Sequence, residues 1–314
     1  MFDRLREQLK LPTYLLAAFC LSVILLAGSF VYAGRPSRFV LSSPQPEHNA
    51  PVIAGAVVSP QPAAPVLAPA ADSLHVPVLM YHHVGLVADN ADALDRDLTV
   101  SPSDFQAQVD YFKGKGYTAV TLKQVLAAAE GKGSLPRRPI VFTFDDGWKD
   151  VFENAVPILK QEGWIGSFAV ATSLLGRPGY AQWDDVAAAR DQGMEIISHS
   201  ENHLDLTSRV YSKEDLERET LGAKRLLEEK LGQPVIAYVY PYGKYDQETV
   251  NLVRDAGFRM ALTTKYGQYV RKEGLLEIPR VRVHGQDGLE KLRKIFEPKP
   301  QNAASPPNPQ APRS

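Results

Sequence analysis

Cysteine is almost absent from these 314 residues; the single one, Cys20, lies inside an apolar run. An intramolecular disulfide is therefore excluded, and so is a zinc site built on thiolates, so a bound metal would rest on imidazole and carboxylate groups. Net charge is small as well, at -1, and the Lys and Arg residues are scattered rather than gathered on one face. Such a chain lacks the electrostatic footprint of a nucleic-acid partner. No Gly-x-Ser-x-Gly elbow is present, which removes the usual serine-hydrolase arrangement. What the chain does contain is 44% hydrophobic residues, enough for one sizeable core plus tails.

The ends read differently from the middle. Arg4, Arg6 and Lys10 precede residues 11–33, an uncharged apolar run long enough to cross a hydrocarbon layer of roughly 30 Å as a helix. Residues 1–10 are expected to be a cytoplasmic N-terminus and 11–33 a transmembrane signal anchor, placing the remainder outside the cytoplasmic membrane. Val31, Tyr32 and Ala33 offer a cleavage pattern, and a cleaved chain would be secreted; yet the run exceeds the usual signal-peptide core of about 7–15 residues, which favours the anchor. Residues 34–73 are a Pro/Ala-rich linker and 297–314 a disordered Pro-rich tail by composition. The folded unit is then 74–296.

Within that unit short apolar runs alternate with helical patterns. The strand candidates are His75–Tyr81, Thr118–Thr121, Ile140–Phe144, Ser167–Ala171, Met194–Ile197, Val235–Tyr240, Met260–Thr263 and Ile278–Val283. Between them, Phe105, Val109 and Phe112 recur at helical spacing. A capping pattern at Ser212 opens a helix running to Leu231, and a further helix, Glu248–Ala256, stops at Gly257. Repeated strand–helix units imply a parallel sheet covered by helices, either a distorted β/α barrel or a doubly wound sheet. Both folds put functional groups at the C-terminal ends of strands.

Two clusters stand at such ends. The strand 139–144 runs directly into Asp145, Asp146, Gly147 and Trp148; an isolated Asp-Asp-Gly is usually a turn with a helix cap. The strand 194–197 runs into Ser198, His199, Ser200, Glu201, Asn202 and His203, where two imidazoles four positions apart converge if the segment makes a helical turn. Each cluster alone is weak. Together they make an Asp-His-His set with open positions for water and substrate, as a hydrolytic metal requires.

These residues resemble the motifs of the NodB-homology polysaccharide deacetylases, carbohydrate esterase family four. Thr143-Phe144-Asp145-Asp146-Gly147 is similar to the family's first motif, His199-Ser200-Glu201-Asn202-His203 to its second and Tyr240-Pro241-Tyr242-Gly243 to its third. The stretch from Val76 to Val84 resembles the branch acting on poly-N-acetylglucosamine. The resemblance implies a distorted (β/α) barrel, here preceded by one transmembrane helix, and a hydrolase that removes N-acetyl groups from an amino-sugar polymer. It implies Asp145 as general base, Asp146, His199 and His203 as ligands of a divalent metal (zinc, with cobalt or nickel as substitutes), and Tyr242 as the backbone N–H that holds the oxyanion. His284 would be the general acid, and Trp148, His82 and Tyr240 would meet the substrate; of the aromatics, Tyr180 and Trp183 read as core.

Three departures bear on that reading. Val239 and Tyr240 stand where many relatives carry an Arg that orients the base, with Arg280 or Arg282 as replacements. A fourth motif is not matched, and Val281-Arg282-Val283-His284 only approximates the fifth. A glycan-binding protein of the same fold with impaired catalysis is therefore the alternative. A glycoside hydrolase would need carboxylates several ångströms apart rather than adjacent ones.

Overall fold

The computed structural model describes residues 72–297. The expected anchor at 11–33 lies outside them, as do the tail from 298 and the linker up to residue 71; among the described residues no helix is long and apolar enough to cross a membrane. Twelve strands occur among the described residues: β1 (Ser73–His75), β2 (Val78–Tyr81), β3 (His83–Val84), β4 (Thr99–Val100), β5 (Thr118–Ala119), β6 (Pro139–Phe144), β7 (Ser167–Val170), β8 (Glu195–Ser198), β9 (Ala237–Val239), β10 (Met260–Tyr266), β11 (Tyr269–Arg271) and β12 (Ile278–Arg282). Seven of them close on themselves in the order β2-β12-β10-β9-β8-β7-β6 and back to β2, every pairing parallel. β5 pairs with the start of β6.

This is a distorted β/α barrel, not a doubly wound sheet, because the β2–β6 ladder leaves no open edge between those strands. The expected first strand is divided at Pro77, which has no N–H to give to a ladder. Its first part, β1, pairs antiparallel with β11 instead. The folded unit thus opens at Ser73, inside the expected linker.

The two faces of each strand are separated by period-two alternation. On β6, Ile140, Phe142 and Phe144 pack outward into the cluster shared with the helices. Val141 belongs to the second cluster, with Val78, Ala169, Ile197, Val239, Leu262 and Ile278, which fills the barrel interior. Thr143 and then Asp145 continue that inward row. The helices cover the outside: in Pro102–Gly114 the Ser101 side chain caps the Asp104 N–H, Pro102 occupies the first turn, and Phe105, Val109 and Phe112 face the barrel. The helical stretch expected at 212–231 is present, but Arg218–Gly222 within it form a π turn.

Candidate active site

The chain leaves β6 through two adjacent carboxylates that point to different partners. Asp145 continues the inward row, is buried, and is gripped by Arg280, whose Nη1 donates to Oδ1 at 2.8 Å and Nη2 to Oδ2 at 2.7 Å. Arg280 is 1% exposed and also donates to Thr143 Oγ1 and the Thr263 carbonyl. Of the two expected replacements for the Arg absent before Pro241, Arg280 is the one that meets Asp145. Strand alternation puts Arg282 on the same face, one step nearer the mouth, where it donates to Asp97 at 2.8 Å. Burial, the largest influence on Asp145, would raise its pKa. The Arg280 charge and hydrogen bonds, with His199 and His82, outweigh it and hold the carboxyl below its ordinary value.

Asp146 has φ of 75°, a left-handed conformation that Asp tolerates better than most residues. It turns the second carboxylate away from the first. Oδ1 lies 3.2 Å from His199 Nε2 and 3.4 Å from His203 Nε2, and the three ligand atoms fall within 4.8 Å of one another. The His199 Nδ1–H donates to the Val239 carbonyl at 2.8 Å; since a carbonyl only accepts, Nε2, which faces Asp146, is the nitrogen that the neutral ring would offer to a metal. One carboxylate oxygen and two imidazole nitrogens, partly open to solvent, fit a divalent hydrolytic metal. Asp146 is held far below the usual carboxylate range: burial opposes this but is outweighed by His199, His82 and His203. His203 is pushed down to about 4, first by burial and then by the His199 charge.

All four non-glycine residues of positive φ among the described residues lie here: Asp146, Ser200, His203 and Tyr242. Each such conformation costs on the order of 1 kcal/mol or more and persists where the surroundings impose it. Tyr242, 61% exposed, sits in the 3₁₀ turn Pro241–Gly243 with its ring 4.5 Å from His203. Its N–H belongs to the first turn, whose donors have no partner within the helix. Gly243 (φ 68°) admits no side chain, as a Cβ would meet Thr264 Oγ1 at 2.0 Å. The Tyr242 turn is thereby pinned against β10.

Other expected positions are placed differently. Tyr240 is buried, stacks on Tyr245 and donates its hydroxyl to the Leu276 carbonyl at 3.0 Å, so its side chain is held in the wall of the barrel. Trp148 has Tyr180 stacked at 4.1 Å and His83 at 4.4 Å. Its Nε1–H donates to Asp146 Oδ2 at 3.0 Å, so the indole braces that carboxylate. His284 turns its Nδ1 to Asp97 Oδ1 at 2.7 Å, beside Gly285, where a Cβ would collide with the Thr99 and Arg96 carbonyls. The imidazoles that perturb Asp145 and Asp146 are His199, His203 and His82. His82 has its Nδ1 buried without a partner among the described residues, and its pKa is lowered by burial in spite of the two nearby carboxylates. Asp97, in the Asp-Arg-Asp stretch at 95–97, carries no sequence signal that could have singled it out.

The parallel barrel thus carries an Asp-His-His set that could hold a metal ion, beside a guanidinium-held Asp. Residues 132–261 match the family model described as polysaccharide deacetylase. A polysaccharide deacetylase structure from Bacillus cereus is 30% identical, covering 71% of this chain and 69% of that one, with a TM-score of 0.62. A Streptococcus pyogenes deacetylase in complex with acetate is 27% identical over 72% and 99% of the two chains, with a TM-score of 0.65. A poly-beta-1,6-N-acetyl-D-glucosamine N-deacetylase from Staphylococcus aureus is 25% identical over 64% of this chain and 73% of its own length. The chain belongs to the polysaccharide deacetylase family and is an N-deacetylating hydrolase of that class.

Proposed function

We propose that this protein is a metal-dependent de-N-acetylase of an extracytoplasmic amino-sugar polymer, with a poly-N-acetylglucosamine as its substrate. The observation that carries this reading is the convergence of Asp146, His199 and His203 beside an Asp145 held by buried Arg280. The substrate is supported by the Staphylococcus aureus relative and by the resemblance of residues 76–84. The donor set suits zinc, with cobalt or nickel as substitutes.

A divalent ion bound there would be held by Asp146, His199 and His203 and would supply Lewis acidity for the amide oxygen and an activated water near neutral pH. Asp145, ionised through Arg280, takes the proton as the water oxygen bonds to the acetyl carbon. The Tyr242 N–H donates to the oxygen that becomes negative. The proton taken up by Asp145 is then available to the sugar nitrogen as the C–N bond breaks, releasing acetate and a free amine. His284, expected from the fifth motif as the general acid, has its Nδ1 paired with Asp97 Oδ1 at 2.7 Å. With Arg280 in the orienting position, the reading as an impaired glycan-binding protein loses its main motive.

Acetate release by the full-length chain should be measured on poly-N-acetylglucosamine, peptidoglycan and chitin, with polymer length followed in parallel. We expect acetate without chain shortening, abolished by chelation and restored by zinc. Shortened chains or full activity in metal-free protein would overturn the reading. For the topology we propose, with residues 11–33 as a retained anchor, a reporter fused after Ser314 should be active only outside the cytoplasm; cytoplasmic reporter activity reverses it.

A further inference from the structure

Glu219 lies in none of the sequence motifs above, yet it is 1% exposed. A buried carboxylate is costly unless its oxygens are hydrogen-bonded, and both of these are taken by one residue. Oε2 accepts from the Asn202 backbone N–H at 2.8 Å and Oε1 from Asn202 Nδ2 at 2.7 Å. Asn202 immediately precedes His203. Glu219 itself stands in the π turn Arg218–Gly222, an insertion that α-helices tolerate rarely and mostly at functional positions.

The segment it grips needs holding. Ser200 (φ 73°) and His203 (φ 58°) are both left-handed without being glycine, so the loop does not adopt this path by local preference. Its first half is tied to the loop after β7, where the Thr172 and Ser173 N–H groups donate to the Ser200 and Glu201 carbonyls at 3.1 and 2.9 Å. Ser200 Oγ accepts from the His203 N–H at 2.8 Å, an internal tie that travels with the loop. Asn202, between the two ties, is fastened to the helix by Glu219.

We propose that Glu219 is a positioning residue for the metal ligands: its two-point clamp on Asn202 holds the 199–203 loop in the conformation that aims His203 Nε2 at Asp146. The proposal rests on the metal site of the preceding subsection. It differs from a merely structural role, in which Glu219 braces the helix and metal affinity is indifferent to it.

Zinc affinity of the full-length chain, measured by competition with a chromophoric chelator, separates the two. Glu219→Leu removes both acceptors at similar volume and should weaken zinc binding about 10–100-fold, the usual cost of losing a group that supports a ligand. Glu219→Gln keeps an acceptor for the Asn202 N–H and, with the Asn202 amide turned over, a donor for its Oδ1, and should retain most of the affinity. Asn202→Ala, at an exposed side chain, keeps the backbone bond and should weaken zinc several-fold; it also serves if Glu219→Leu does not fold. Unchanged zinc affinity in Asn202→Ala and Glu219→Leu, with only a lower melting temperature, overturns the proposal. Failure of the unmutated chain to bind zinc at all would instead overturn the metal site beneath it.

Discussion

Asp145→Asn should bind divalent metal at close to one equivalent while deacetylation falls about 10²–10⁴-fold, the range for removing a general base. Asp146→Asn, His199→Ala and His203→Ala should lose metal along with activity, because each removes a ligand. The two neighbouring carboxylates are chemically identical, and the difference in outcome follows from direction alone: Asp145 faces Arg280 and Asp146 faces the imidazoles. Asp145→Asn also breaks a buried ion pair, so its melting temperature should drop, and rate and metal content must be expressed per folded molecule. Metal analysis, thermal denaturation and acetate release on one preparation decide the matter. Loss of metal from Asp145→Asn with retention in Asp146→Asn would exchange the two roles; retention of metal and activity in both would move the site elsewhere.

Arg280→Met should be the most destabilising single change near the site, costing about 3–5 kcal/mol, because it strands the Asp145 charge in the interior. Chemical denaturation measures this directly. The double variant Asp145→Asn/Arg280→Met should be more stable than Arg280→Met alone, since no buried charge then remains unpaired. The pH profile adds a signature that mere destabilisation lacks. Asp145 works as a base only when ionised, and the guanidinium keeps its pKa low against the upward pull of burial. Without Arg280 only His199 and His82 oppose that pull, the pKa rises, and the acid limb of the rate profile should move to higher pH in whatever Arg280→Met remains folded. An acid limb at its original pH would show that Arg280 does not set the ionisation of the base.

Much of the local architecture was legible in the sequence. Each of the seven barrel strands coincides with an apolar run, and the cap at Ser212 and the stop at Gly257 follow from elementary backbone chemistry. The Asp-Asp pair and the His-x-x-x-His segment were visible as metal-site chemistry because both lie immediately after strands, where a parallel fold gathers functional groups. Residue type and spacing sufficed there, since the distances involved are within one segment.

Tertiary structure alone decided which distant groups complete the site. Arg280 reaches Asp145 across 135 positions because β12 and β6 both flank β2 and turn their alternate residues inward. Arg282, of the same strand parity, is captured by Asp97 one step higher, so spacing could not choose between the two arginines. Closure of β2 on β6 selects a barrel over a doubly wound sheet, and it is a pairing between strands about 60 residues apart that no local pattern encodes. Tyr240 became a wall and Trp148 a brace for Asp146 through neighbours supplied by other loops. Local preference determined the elements and the residues that bear charge; closure of the barrel determined which charges meet, because that depends on strand order and depth in three dimensions.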